Sequence, residues 1–165
     1  MARFNLELPK EIMDDVQKIE RNADKIFSGM VEAGAEVVKS NMKANAPTSE
    51  ISSRVKVSKT YKTPTDDGIN RKVYVGGYIP FKGNRQSVTV PAKGKQYTNK
   101  KGVPAGFVAM MYEYGSSGER TTTDGENRGV FPKRPFVRKS FKKAQIEQAM
   151  LKAQKELSGG ILDDE

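Results

Sequence analysis

Apolar residues recur at helical spacing over residues 9–45 and predict one long amphipathic helix. Charged residues occupy the opposite face, as expected for a helix that packs on a core with one side. Pro9 suits a first helical position, and Pro47 pushes the preceding residue out of the helical region. The small residues at 33–35 mark the point where so long a helix is expected to bend or to cross a neighbour closely.

The middle of the chain changes to a period of two. Residues 53–61 alternate between apolar and polar side chains, and so do residues 71–76, with turn-forming residues between them. These two segments predict an antiparallel hairpin. Residues 107–114 are apolar and fit either a strand or a short helix. We assign residues 53–114 to a small sheet that includes a long loop at 77–106.

A second helix is predicted over residues 135–158, after a polar loop at 115–131 that we expect to be mobile. Its apolar pattern changes face, because Val137 and Ile146 are about half a revolution out of phase. Either the second half packs on another subunit, or the helix is kinked or frayed; we favour the subunit interface. Residues 159–165 are expected to form a flexible tail. The predicted interface residues are Ile146, Met150, Ala153 and Leu157.

These elements predict an α+β fold in which a long N-terminal helix and a C-terminal helix pack on a small antiparallel β-sheet with long loops. The length of 165 residues suits a single domain, residues 1–165. The hydrophobic fraction of 36% indicates a modest core. Part of the apolar surface is therefore expected to be completed by neighbouring subunits.

Positive charge is concentrated in one stretch. The formal net charge is +9, yet there is no Asp or Glu between Gly68 and Tyr112. Such a stretch attracts polyanions, although a solvated basic loop explains it about as well. The residues expected to face DNA or an acidic partner are Lys82, Arg85, Lys93, Lys95, Lys100 and Lys101.

The composition argues against an enzyme. The chain has no Cys and no His, which removes thiolate nucleophiles and the usual general bases and many metal ligands. The acidic pairs at 14–15 and 66–67 are better explained by a helix start and a turn than by a metal site. No cofactor is expected. We also expect no membrane partner, because no apolar stretch approaches the length of a bilayer crossing and no signal peptide is recognisable.

Four short segments carry a family resemblance. They are Ala44-Asn-Ala-Pro-Thr-Ser-Glu-Ile-Ser52, Lys72-Val-Tyr-Val-Gly-Gly77, Met111-Tyr-Glu-Tyr-Gly-Ser116 and Pro132-Lys-Arg-Pro-Phe-Val-Arg138. In this order they resemble the tailed-phage neck or tail-completion family, the siphophage head–tail joining proteins grouped with minor tail protein Z. The last two segments, across a variable loop, are the most specific. Ser116 and Lys139-Ser140 depart from the family pattern, and the basic loop resembles an insertion.

The resemblance implies a non-enzymatic virion protein that forms a homo-oligomeric, six-fold ring in the neck. The ring would join head-closure or connector proteins to tail terminator or tail tube proteins, around double-stranded DNA in its lumen, after assembly in the host cytoplasm. A tail terminator ring that caps the tail tube is the close alternative. A free protein that binds duplex DNA without sequence preference is the alternative from another class.

The last two segments also predict how the fold is fixed. Glu113 is expected to form a charge-assisted pair with Arg134 or Arg138 and so to lock a loop to the last helix. Pro135 is expected to set the helix start, and Phe136 to be a buried anchor. The residues of this fold-locking motif are Glu113, Gly115, Arg134, Pro135, Phe136 and Arg138.

Overall fold

The chain divides into two compact units in the computed structural model. Unit 1 comprises Met1–Ala35, Lys59–Arg71 and Lys143–Glu165, and unit 2 comprises Glu36–Ser58 and Lys72–Lys142. The structure describes residues 9–65, 68–81, 83, 87–92, 95–116, 118–120, 125–127 and 129–162.

The described residues contain helices and short antiparallel strands, which confirms the α+β class. The helices are α1 (Lys10–Arg21), α2 (Ala23–Asn45), α3 (Ser49–Ser52), α4 (Ala105–Tyr114), α5 (Val137–Ser140) and α6 (Lys143–Leu162). The strands are β1 (Val55–Val57), β2 (Tyr61–Lys62), β3 (Ile69–Asn70), β4 (Val73–Val75), β5 (Tyr78–Ile79), β6 (Val88–Ala92), β7 (Lys95–Asn99) and β8 (Val103–Pro104). They pair as four two-stranded sheets, β1–β4, β2–β3, β5–β8 and β6–β7.

The long helix predicted over residues 9–45 is interrupted at Asn22, not at residues 33–35. The Asn22 side-chain amide donates to the carbonyl oxygen of Lys18 at 2.9 Å, and its backbone N–H also bonds to that oxygen. A side chain that bonds to the carbonyl oxygen four residues earlier competes with the backbone for that oxygen and disfavours the helix interior. The apolar stripe runs through the break in phase, so periodicity alone does not reveal it.

Unit 1 contains α1, residues 23–35 of α2, the β2–β3 hairpin and α6. Helix α1 packs against α6. Two ion pairs tie the hairpin region to α2: Lys62 to Asp24 at 2.7 Å and Arg71 to Glu32 at 2.9 Å.

Unit 2 contains residues 36–45 of α2, the helices α3 to α5 and the other three sheets. Strands β1 and β4 pair with Val55 opposite Val75. The Thr48 side chain accepts the N–H of Ile51 and caps α3. The core of this unit is apolar and buried: Val38, Met42, Ile51, Val55, Ile79, Ala105, Ala109 and Phe136.

Several predicted boundaries in the second half of the chain are wrong. Residues 105–114, assigned to the sheet, form helix α4, and the loop at 77–106 contains strands β5 to β8. The helix predicted over 135–158 is two helices, separated where Phe141 adopts a non-helical backbone (φ −84°, ψ 77°). Helix α6 continues to Leu162, through the predicted glycine stop and into the predicted tail.

Candidate functional site

The carboxylate of Glu113 sits at the centre of the fold-locking motif. Glu113 lies on α4 and is 3% exposed. Its Oε2 accepts the backbone N–H groups of Phe136 at 2.8 Å and Val137 at 2.9 Å, and its Oε1 accepts that of Arg138 at 3.3 Å. Arg138 Nε lies 3.5 Å from Oε1. Three otherwise unpaired N–H groups at the start of α5 are thus held by one carboxylate.

Ser140 fixes the other end of α5 and is fully buried. Its hydroxyl donates to the carbonyl oxygen of Phe136 at 2.6 Å and accepts from the side-chain amide of Asn45 at 3.2 Å. The side chain of Asn41 donates to the Ser140 carbonyl oxygen at 3.2 Å. Helix α5 is therefore held at one end by α4 and at the other by the last turns of α2.

Gly115 ends α4 and lets the chain turn back on itself. Its backbone has φ 74° and ψ −169°, a combination that is essentially restricted to glycine. The returning segment bonds to the end of α4, with the N–H of Arg134 donating to the Tyr112 carbonyl oxygen at 2.7 Å. The rings of Tyr112 and Phe131 meet edge to face at 4.9 Å.

The structure brings most of the predicted motif together. Phe136 is buried at 2% exposure, and Arg138 rather than Arg134 lies beside Glu113. Arg134 takes part through its backbone, and Pro135 precedes the first residue of α5, Val137, by two positions. The sequence did not point to Ser140, because a lone serine next to a lysine carries no signal of its partners.

An apolar groove opens beside this motif, between β4, α4 and α5. We call it the α4–α5 groove; its volume is about 350 Å³. Arg138 crosses its edge, with the guanidinium 5.3 Å from the Tyr114 ring centroid. Among the described lining residues, Arg138 and Glu113 carry charge, and Glu113 is engaged by its N–H donors. The apolar and aromatic lining includes Val73, Tyr74, Ala109, Met110, Tyr114 and Val137.

The residues predicted to form a subunit interface on the last helix lie within unit 1. A Cβ at Gly34 would stand 3.2 Å from Met150 Cγ and 3.3 Å from Ile146 Cγ2, and Gly29 similarly faces Leu157. Ile146, Met150, Ala153 and Leu157 are half-buried. This intramolecular packing covers part of that face, and the subunit interface on this helix stays a prediction.

The basic residues of the predicted partner-facing loop are only partly described. Lys82, Arg85 and Lys93 lie outside the described residues, as do Asp66 and Asp67. Lys95 begins strand β7, which pairs with β6 in a hairpin of five residues on each side. Lys100 and Lys101 follow β7 and are exposed.

The described residues contain no group of three or more His, Cys, Asp or Glu side chains that could hold a metal ion. Within the same ranges, no helix is both long and apolar enough to cross a membrane.

The described site consists of packing and capping contacts around the short helix α5, with an apolar groove beside it. Residues 10–79 match the model of a family described as "Bacteriophage HK97-gp10, putative tail-component". This match confirms the resemblance to the siphophage neck and tail-completion proteins over that range. It supports a structural role in the phage tail, which is part of the virion. Two of the four resembling segments lie inside the matched range, and two lie beyond it. No curated protein and no solved structure matches the chain.

Proposed function

We propose that this protein forms a homo-oligomeric ring in the phage neck that joins and completes head and tail. The match of residues 10–79 to a phage tail-component family carries the proposal. The ring is six-fold, acts without turnover and docks between head-closure or connector proteins and the tail terminator or tail tube proteins. Assembly takes place in the host cytoplasm.

Two features of the chain support this role. Glu113 and Ser140 are buried polar groups whose partners hold neighbouring helices together, which is what a rigid structural subunit needs. The acid-free stretch between Gly68 and Tyr112 carries the basic residues of the sequence-predicted loop. A ring around double-stranded DNA can use such a stretch to line its lumen, because phosphate contacts are independent of sequence.

A phage in which this gene is disabled tests the proposal by electron microscopy of its lysates. We expect DNA-filled heads and free tails of normal length, and we expect added purified protein to restore joined, infectious particles. Tails of abnormal length would indicate the tail terminator instead. Normal infectious particles without the protein would overturn a structural role and would favour a free DNA-binding protein.

A further inference from the structure

Helix α1 presents an apolar stripe that its own unit leaves uncovered. No residue of α1 is buried, although the helix packs against α6. Val16, in the middle of the stripe, is 57% exposed, and Ile12 and Ile19 on the same face are also exposed. An amphipathic helix gains most of its stability by burying such a face. An exposed stripe of this kind therefore indicates a binding surface for a partner.

Acidic side chains border this stripe on both sides. At 3.6 residues per turn, Asp15 and Glu20 project about 70° to either side of the line through Ile12, Val16 and Ile19. The basic residues of α1 lie more than about 120° from that line, on the opposite face. They are Lys10, Lys18 and Arg21. The stripe is therefore an apolar strip with negative edges.

The α4–α5 groove of unit 2 has the complementary character. It is apolar inside, and Met110 on its wall is 51% exposed. Arg138 stands at its edge with 62% of its side chain exposed, and the exposed Lys139 follows it. Lys56 is exposed on β1 directly opposite the groove residue Tyr74. The groove is therefore an apolar cleft with positive edges.

We propose that α1 of one subunit docks in the α4–α5 groove of a second copy of this chain, with Val16 facing Met110. Asp15 and Glu20, on opposite sides of the stripe, then lie towards the basic residues at the edges of the groove, which are Lys56, Arg138 and Lys139. The two surfaces differ, so the contact is heterologous, and heterologous contacts between identical subunits close into rings or extend into filaments. The inference rests on the proposed ring and names the surfaces that build it.

Cysteine pairing tests this contact directly, because the chain has no cysteine of its own. Full-length V16C and M110C variants are mixed in equal amounts and added to lysates of the gene-disabled phage; joined particles are purified, oxidised and examined on a non-reducing gel. The matched control replaces V16C with Q17C, the next residue on α1, which is also exposed but faces away from the stripe. Each variant carries one thiol at an exposed position, so a dimer between V16C and M110C can form only between subunits.

We expect the mixture of V16C and M110C to give at least tenfold more crosslinked dimer than the mixture of Q17C and M110C. Joined particles that contain the chain but give no such excess, or that give mainly V16C homodimers, would overturn the docking while leaving the ring intact. Particles that lack the chain altogether would overturn the proposed neck function and the docking with it.

A charge exchange gives a second readout that does not depend on crosslinking. D15K brings a lysine towards Arg138, and M110E brings a carboxylate towards the acidic edge of α1, so each alone should lower joining activity by about tenfold or more. The double variant pairs the new charges with each other and should recover most of that loss. A double variant whose joining activity does not exceed that of the less active single variant would contradict the proposed contact.

Discussion

At the scale of single residues, Glu113 shows how a buried carboxylate is accommodated mainly by backbone N–H donors, with an exposed arginine as a more distant counter-ion. Its three backbone donors lie at 2.8, 2.9 and 3.3 Å, whereas Arg138 Nε is 3.5 Å away and 62% of the Arg138 side chain is exposed. An exposed ion pair contributes little, while three N–H groups left without an acceptor are costly. The N–H groups at the start of α5 are therefore the main partners of this carboxylate.

We predict that Glu113→Ala lowers the free energy of unfolding by about 3 kcal/mol, because the buried N–H of Phe136 and the part-buried N–H groups of Val137 and Arg138 lose their acceptor. A fully buried donor left unpaired costs about 1–3 kcal/mol. Arg138→Ala should cost less than about 1 kcal/mol. Urea denaturation of both variants measures the difference. As a control for loss of a carboxylate, Glu36→Gln removes an exposed partner of Lys39 and should change stability by about 0.5 kcal/mol at most. Equal losses in the Glu113 and Arg138 variants would show that the ion pair dominates.

Gly115 is the second residue on which the motif depends. A Cβ at this position would stand 2.9 Å from the Phe131 carbonyl oxygen and 3.1 Å from the Lys133 nitrogen, on a backbone that alanine rarely adopts. We predict that Gly115→Ala lowers the unfolding free energy by about 2–4 kcal/mol, as measured in urea.

The matched control for this substitution is Gly125→Ala. Gly125 also has a positive φ, of 82°, but beyond its chain neighbours no atom of the described residues lies within 4 Å of its Cβ position. It should cost only about 1 kcal/mol, the penalty of the backbone conformation alone. If both substitutions cost the same, the close approach of the returning segment contributes nothing.

At the scale of elements, small residues allow α2 and α6 to approach each other within unit 1. Gly34 faces Ile146 and Met150, and a side chain larger than hydrogen there must displace them. The sequence marks residues 33–35 as a place for a bend or a close crossing, and the structure has the close crossing. The helix break itself falls at Asn22, whose side-chain amide donates to the Lys18 carbonyl oxygen.

We predict that Gly34→Leu lowers the unfolding free energy by about 1–3 kcal/mol through overpacking, despite the better helix propensity of leucine. Met150→Ala removes the side chain that leucine would meet. The double variant should therefore lose less unfolding free energy than the two single variants lose together. The difference should be about 1 kcal/mol or more in a thermodynamic cycle. If the two losses of unfolding free energy are strictly additive, Met150 does not contact residue 34.

The apolar pattern of the sequence reveals the break between α5 and α6. It does not reveal that residues 105–114 form helix α4. The half-revolution change of face between Val137 and Ile146 coincides with the non-helical Phe141. Helix α4 buries Ala105, Ala109 and Glu113 at a spacing of four. Small and charged residues on the buried side hide the helical period, so the apolar residues of this segment fit a strand equally well.

At the scale of the whole molecule, the sequence predicts the class of fold better than the arrangement of the parts. Long amphipathic patterns and paired strand signals are local, and they give the α+β class correctly. Local patterns do not say which copy of the chain covers an apolar face. The face of α6 around Met150 packs on Gly34 of its own chain, while the stripe of α1 around Val16 stays exposed.

The basic stretch gives a prediction for the whole chain in solution. The purified protein should bind duplex DNA only weakly at physiological salt, with dissociation constants of about 10⁻⁴–10⁻⁶ M, because its contacts are to phosphate. Each lysine that contacts a phosphate adds about 0.9 to the slope of log K against log salt concentration. Replacing Lys100 and Lys101 together by alanine should therefore reduce the slope by about 2, as measured by fluorescence anisotropy across a salt series.

A double variant of Lys152 and Lys155 on α6 is the matched control, since it removes the same charge from another exposed surface. Its slope should equal that of the original chain. A slope that falls equally in both double variants would mean that DNA responds to net charge rather than to the basic stretch, and the lumen would then have to be sought on another face. A smaller slope only in the Lys100 and Lys101 variant would give the orientation of the subunit in the ring. The open end of the β6–β7 hairpin, where β7 ends at Asn99, would then face the DNA.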